Sequence, residues 1–361
     1  MFPYVAMLAV PAIVALFGAT RARPFFYLVA LIYFLMVGFR FQVGMDWNNY
    51  LLIYDYWHRV SLGMNLAQRE PGYGALMWVA GQTGGGMVLV DAVSGFVFTF
   101  GLFAVAKRCR EPFIAICIAT PLLVVASAMS SVRQAIAQGI LFYAMATWYQ
   151  RNTLSRFLLV LFATAFHFSA IFMLIFVSLA AKVPPVLRVG GALIVGSVVL
   201  GIIMFAPDAM EHYSNLYVGP SAQLTAPGAI VETGFVAAAG LIYFAIRPLW
   251  DSVYQDNPLY RSMAWASLLS IPAILISSVG AYRFVLYFYP MAMTIYAGIP
   301  ALIRSGIGRL WYRMAIVAAS FAMLIGWLML GNNSVPWVPY KNWLLQHEGV
   351  QLFRHAPFKR L

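Results

Sequence analysis

Acidic residues are scarce in this chain: 11 Asp and Glu stand among 361 residues, and all charged types together make up 9%. A soluble domain carries roughly 25% charge, so the composition excludes an ordinary water-exposed surface. The same scarcity leaves few carboxylates from which to build a divalent-metal centre, and no H-E-x-x-H motif offers zinc a site. Cysteine is almost missing. Cys109 and Cys117 lie near a helix end and within an apolar run, which supports neither a disulfide framework nor a metal site. Repeats at solenoid spacing and low-complexity tracts are absent, and the short alternating segments of a β-barrel do not dominate.

What fills the chain instead is apolar: 63% hydrophobic residues and a mean hydropathy of +0.82. Runs near 20 residues recur along the whole length, enough to cross a hydrocarbon core of about 30 Å. The expectation is an all-α, polytopic integral membrane protein forming one membrane domain over residues 1–361. The net charge of +12 is read as topology-setting Lys and Arg in cytoplasmic loops, not as a nucleic-acid surface. The opening run puts Arg21 and Arg23 after the apolar stretch, the wrong polarity for a cleaved signal peptide, so Phe2–Ala19 reads as a retained first span.

Pro24–Phe39 then leads outward, Gly72–Gln82 is too short to cross, and Met87–Ala106, Phe113–Ala128 and Ala135–Tyr149 alternate in direction. The stretch 157–181 admits two readings: one long span, or a re-entrant pair of half-helices broken near His167. The second keeps Arg151, Arg156, Lys182 and Arg188 on one side and is preferred. Further spans are Ala192–Phe205, Phe235–Ile246, Ser262–Ser278, Val285–Leu302 and Met314–Leu330, about ten in all. Residues 40–86 and 207–232 then form the periplasmic elements.

Against the positive-inside bias, Arg40, Arg133 and Arg283 fall at outward-facing helix ends. Guanidinium forks suit phosphate oxygens, so three of them on one face predict a diphosphate site; a single one could equally snorkel or pair with a carboxylate. His167 is an intramembrane ionisable group, able to accept a proton or to donate a hydrogen bond. Asp46, beside Gly44, and Glu70 supply carboxylates for a general base or for orienting an arginine. The segment from Trp47 through Tyr50, Tyr54 and Trp57 reads as an amphipathic helix on the outer surface, its rings serving either sugars or the interface.

The blocks RFQVGMDWNNYLLIY, REPGYGAL, SSVRQAIAQGILFYA, ATAFHFSAI, YRFVLYFYP and VPWVPY, in that order, resemble the EpsG family of Wzy-like polysaccharide polymerases over nearly the whole chain. The resemblance implies a GT-C-like glycosyltransferase of the bacterial inner membrane, with no cofactor or metal. It would transfer an undecaprenyl-pyrophosphate-linked glycan onto a new lipid-linked repeat unit at the periplasmic face, in building O-antigen, capsule or exopolysaccharide. It carries the family's functional blocks onto Asp46, Arg133, His167 and Arg283 as catalytic residues. Arg40, Trp47, Tyr50, Glu70, Gln134, Tyr282 and Tyr340 join as substrate contacts. A Wzz-like chain-length regulator and a Wzx-like flippase are the expected partners beside the bilayer and the lipid-linked oligosaccharide. The alternatives are an O-antigen ligase, which shares the donor chemistry, a flippase for the same lipid, and a membrane O-acyltransferase with an intramembrane histidine. A flippase calls for charges along a path through the bilayer, whereas the unusual charges here cluster on one side.

The topology is testable directly. A cysteine at Ser221 should react with a membrane-impermeant maleimide added from outside; labelling only from the cytoplasmic side would reverse the downstream half.

Overall fold

The computed structural model describes residues 1–17, 23–181, 183–204, 226, 228–331 and 333–345. The expected outer loop Asp208–Glu232, with Ser221, therefore lies largely outside the described residues. Among those described, 80% helix and no strand are found. Three helices among the described residues are long and apolar enough to cross a membrane, Gly86–Ala106, Ser278–Leu302 and Gly306–Leu330, with seven shorter apolar helices beside them.

Helices α1 (Phe2–Leu16) and α2 (Arg23–Gly38) precede a loop to α3 (Trp47–Trp57), α4 (Leu62–Leu66) and α5 (Pro71–Gln82). Then come α6 (Gly86–Ala106), α7 (Pro112–Ala119) and α8 (Val132–Ala146). From Thr120 to Ala128, α7 continues as a π-helix whose second residue is Pro121. Proline has no N–H to give to the carbonyl one turn back, and a widened turn is one way for the helix to continue past it.

Helix α6 packs on α8 more extensively than any other pair. The two run parallel, because Ser94 Oγ donates to Val132 O (3.0 Å) and, seven residues on in each, Gly101 meets Gly139. A Cβ on Gly139 would meet the backbone of Val97 and Phe98; only glycine permits this approach. α7 and its π extension make the return between them.

Asn152 caps α9 (Thr153–Thr164), accepting from Ser155 N at 2.8 Å. After α9 the chain breaks at His167, extended at φ −151° and ψ 116°, and resumes as a 3-10 turn, Phe168–Met173, and α10 (Leu174–Leu179). Arg156, at the start of α9, donates to Trp148 O (2.9 Å). Past α10, Ala180 and Ala181 line a shared concavity with Tyr149. Both ends of the segment thus lie beside Trp148 and Tyr149, with His167 at the far apex. Twelve helical residues rise about 18 Å, too little to cross. This is the re-entrant geometry of the two alternatives.

α11 (Pro185–Met204) packs on α10. The remaining helices are α12 (Ala229–Ala245), α13 (Arg247–Asp251), α14 (Pro258–Ala273), α15 (Ser278–Val285), α16 (Tyr289–Gly298) and α17 (Gly306–Leu330). α15 and α16 are joined by a 3-10 turn into the long run Ser278–Leu302. Arg283 therefore sits in the second turn of a long helix, six residues beyond its N-cap Ser277, and not in a loop between two spans.

Arg40 departs from the expectation of a substrate contact. It is 1% exposed and bonded through Nη2 to Asp91 (2.9 Å), itself fully buried in the second turn of α6. Its backbone pairs with Asn342, and Phe41 N donates to Lys341 O (3.0 Å). Tyr340 and Trp47 are likewise packing residues. Tyr340 donates to Met36 O (2.9 Å) and meets Tyr4 edge-on, while Trp47 lies edge-on to Phe41. The expected third guanidinium of the outer cluster is thus already neutralised inside the bundle, where it pins the end of α2 to α6.

Removing one partner of a buried ion pair leaves an uncompensated charge and costs on the order of 3–5 kcal/mol, whereas replacing both with apolar residues is often near neutral. Arg40→Met should therefore lower the thermal midpoint of purified protein sharply, and Arg40→Met with Asp91→Leu should recover most of it. A double variant no better than the single one would contradict this reading.

Candidate active site

Gly44, at φ +106°, rests against the backbone of Met129 and Ser130. A side chain could neither adopt that conformation readily nor fit the gap. This close approach brings Asp46, the next residue but one, to the start of α8, with Asp46 N 3.4 Å from Ser130 Oγ. From there α3 runs with Asn49, Tyr50 and Ile53 turned, at helical spacing, towards a cavity of about 390 Å³.

The opposite wall comes from three other elements. α8 contributes Arg133 and Gln134 just after Ser131, α15 contributes Arg283, and the break after α9 contributes His167. Segments far apart in sequence thus bring Asp46, Arg133, His167 and Arg283 to one cavity, with Tyr50 and Gln134 beside them. Gln134 Nε2 donates to Arg283 O at 2.7 Å, tying α8 to α15. Tyr282 does not line the cavity.

Glu70, the N-cap residue of α5, stands behind this wall. Its Oε2 accepts from Arg133 Nη1 (2.6 Å). Its Oε1 lies 2.9 Å from His167 Nδ1 and accepts from Phe168 N at 3.0 Å. Burial alone would push its carboxyl up. The His167 hydrogen bond and the Arg133 charge outweigh that and hold it at about 2. A carboxylate so occupied is an acceptor, which places the imidazole proton on Nδ1. His167 Nε2 is buried and has no hydrogen-bond partner among the described residues. Glu70 therefore acts on its protein neighbours and is not left free to bind a sugar.

Arg133 also lies over the Tyr50 and Tyr73 rings at 5.8 and 5.9 Å, with its side chain 38% exposed. Burial raises the Asp46 carboxyl above the ordinary value, with Arg283, Arg133 and the Ser130 and Ser131 hydroxyls opposing. Asp55 is exposed and paired only with Arg59 on the next turn (2.7 Å), so Asp46 is the aspartate that reaches the cavity. Among the described residues, no three His, Cys, Asp or Glu side chains group as metal ligands would.

The EpsG family model matches residues 24–342. The chain belongs to the EpsG family. It is accordingly a polysaccharide-biosynthesis, polymerase-like membrane protein. No curated protein and no solved structure matches it. Sequence reasoning missed Asn49, Leu52, Ile53 and Ser131 as lining residues of this EpsG-family cavity. The spacing of Asp46, Asn49, Tyr50 and Ile53 was a usable signal. It also missed Asp91, hidden in an apolar run.

The depressed Glu70 value sets a pH dependence. Its folded value lies below the ordinary 4.5, so the charged form adds stability above about pH 4.5 that is lost as pH falls towards 2. Between pH 6 and 3 the thermal midpoint of wild type should fall more steeply than that of Glu70→Gln. Parallel curves would show that the carboxylate is not held by these partners.

Proposed function

We propose that the protein is a polysaccharide polymerase that transfers a glycan from a lipid-linked diphosphate to the sugar hydroxyl of a lipid-linked repeat unit. The observation that carries the reading is the joint lining of one cavity by Arg133, Arg283, Asp46 and His167. Family membership supports polysaccharide as the product and the repeat unit as acceptor.

The chemistry follows from the donors and acceptors available. The acceptor oxygen attacks the anomeric carbon as the bond from that carbon to the diphosphate oxygen breaks. The electron pair leaves on the diphosphate, which Arg133 and Arg283 receive as fixed cations, the role a divalent ion fills in many transferases. The hydroxyl proton passes to His167 Nε2, while Glu70 holds Nδ1 and stabilises the imidazolium that forms, the logic of a carboxylate-oriented histidine base. Asp46, between the two guanidinium groups, orients the acceptor sugar through its hydroxyls, with the Tyr50 ring beside it.

The cavity size fits this division. At about 390 Å³ it lies near the low end of small-molecule sites, ~300–1,000 Å³. It encloses the reacting sugar and diphosphate, and the rest of each chain lies outside. In this reading the site faces the periplasm, and the donor's lipid is undecaprenyl.

The deciding measurement is elongation of a synthetic lipid-diphosphate repeat unit by purified protein, read as a ladder on a gel. Wild type should elongate with or without chelator. Arg133→Ala, Arg283→Ala and His167→Ala should each lose about 10²–10³ in rate in protein that still elutes as wild type does. A full ladder from Arg283→Ala, or a strict divalent-cation requirement, would remove the mechanism.

A further inference from the structure

At the opposite end of the bundle from the catalytic cavity, basic residues line two adjoining concavities. α6 fixes the sidedness. Its Ser94 meets the start of α8 next to Arg133, and Lys107 follows its last turn about 20 Å further on. One concavity, about 480 Å³, is walled by Arg23, Lys107, Arg108 and Arg110 together with Phe26 and Tyr27. The other, about 690 Å³, shares Arg110 and adds Arg309 and Arg313.

The local carboxylate does not balance this charge. Glu111 is clamped on Arg313 by two bonds, to Nε at 2.7 Å and to Nη2 at 2.6 Å. Among the described residues, none of Arg23, Arg108, Arg110 or Arg309 is ion-paired to a carboxylate. Basic residues that only set topology need no more than a solvated loop. Here they surround hollows between helices, and guanidinium groups so placed favour phosphate oxygens.

The surroundings point to a lipid rather than a soluble anion. Lys107 Nζ reaches Tyr27 Oη at 3.3 Å, so the charged wall runs directly into α2. There Tyr27, Leu28 and Leu31 are 57%, 48% and 50% exposed on one apolar face. A phosphodiester seated between Arg108 and Arg110 would have its acyl chains laid along that face.

We infer that this groove binds the headgroup of an anionic phospholipid from the leaflet opposite the catalytic cavity. The test uses the full chain in detergent, titrated with phosphatidylglycerol and, separately, phosphatidylcholine, and read by native mass spectrometry. Wild type should prefer phosphatidylglycerol by at least about tenfold, and millimolar inorganic phosphate should not displace it. The exposed triple Arg108→Gln, Arg110→Gln, Arg309→Gln should lose that preference. A control triple of the same charge change at the same end, Arg151→Gln, Arg247→Gln, Arg261→Gln, should keep it within about twofold.

Equal loss in both triples would mean diffuse attraction and overturn the site. Displacement by phosphate alone would make it a soluble-anion pocket instead. A photoactivatable phosphatidylglycerol on wild type gives an independent reading. Cross-links should map to residues 23–31 and 107–113; labelling confined to other helices would refute the groove.

Discussion

The carboxylate of Glu70 joins elements that share no other reason to meet. It sits at the head of a short helix, and its two oxygens gather Arg133 from α8, the ring of His167 and the amide of Phe168. The last two come from the apex of the re-entrant segment. A buried carboxylate is tolerable only when its charge is matched and its lone pairs are filled, and here both conditions hold. Neither Arg133 nor His167 could be placed so well alone. A long side chain loses rotamer freedom on being fixed, and a break in a helix at membrane depth exposes backbone groups that need partners. Phe168 N finds its partner in Glu70, and Gly72 N, two residues further on, donates to Ala165 O at 2.8 Å. The break is thus held from both sides by the first turn of α5.

Much of the architecture was legible because apolar runs announce helices. Met87–Ala106 and Phe113–Ala128 were placed within a residue or so of what is observed, and the interruption at His167 fell where a polar residue splits a greasy stretch. The π-helix over Thr120–Ala128 was not legible, since Pro121 signals a disturbance without saying how the backbone absorbs it. The residue types of the cavity were also readable: Asp46, Arg133, His167 and Arg283 are the ionisable groups that apolar neighbours make conspicuous.

Pairing was what the sequence hid. Arg40 shows the same sign as Arg133 and the same expected position at an outward helix end, yet one is spent on Asp91 and the other lines the cavity. The difference lies in a single aspartate 51 positions away, inside α6, whose neighbours give no hint of it. Tyr340 and Trp47 misled for a related reason: an aromatic ring near an interface serves packing and substrate equally well, and only position separates the two. Glu70 was read both as a substrate contact and as a carboxylate that orients an arginine; the second reading holds, with Arg133, His167 and Phe168 occupying its oxygens.

Charge economy ties the two ends of the molecule together. Of the acidic residues with described surroundings, Asp55, Asp91, Asp251, Asp256, Glu70 and Glu111 are each bonded to an arginine. In the candidate cavity this leaves Asp46 beside Arg133 and Arg283, with Arg133 also bonded from behind by Glu70. The two guanidinium groups oppose the rise that burial gives the Asp46 carboxyl, and both line the same space. At the far end Glu111, the carboxylate lining the groove, is withdrawn into one bidentate pair with Arg313, and Arg23, Arg108, Arg110 and Arg309 have no carboxylate partner among the described residues. The same shortage of acid thus produces a nearly neutral pocket where two carboxylates are well placed and a positive groove where Glu111 is taken up by Arg313 alone. The placement of Asp46 and Glu70, more than the number of arginines, distinguishes the one from the other.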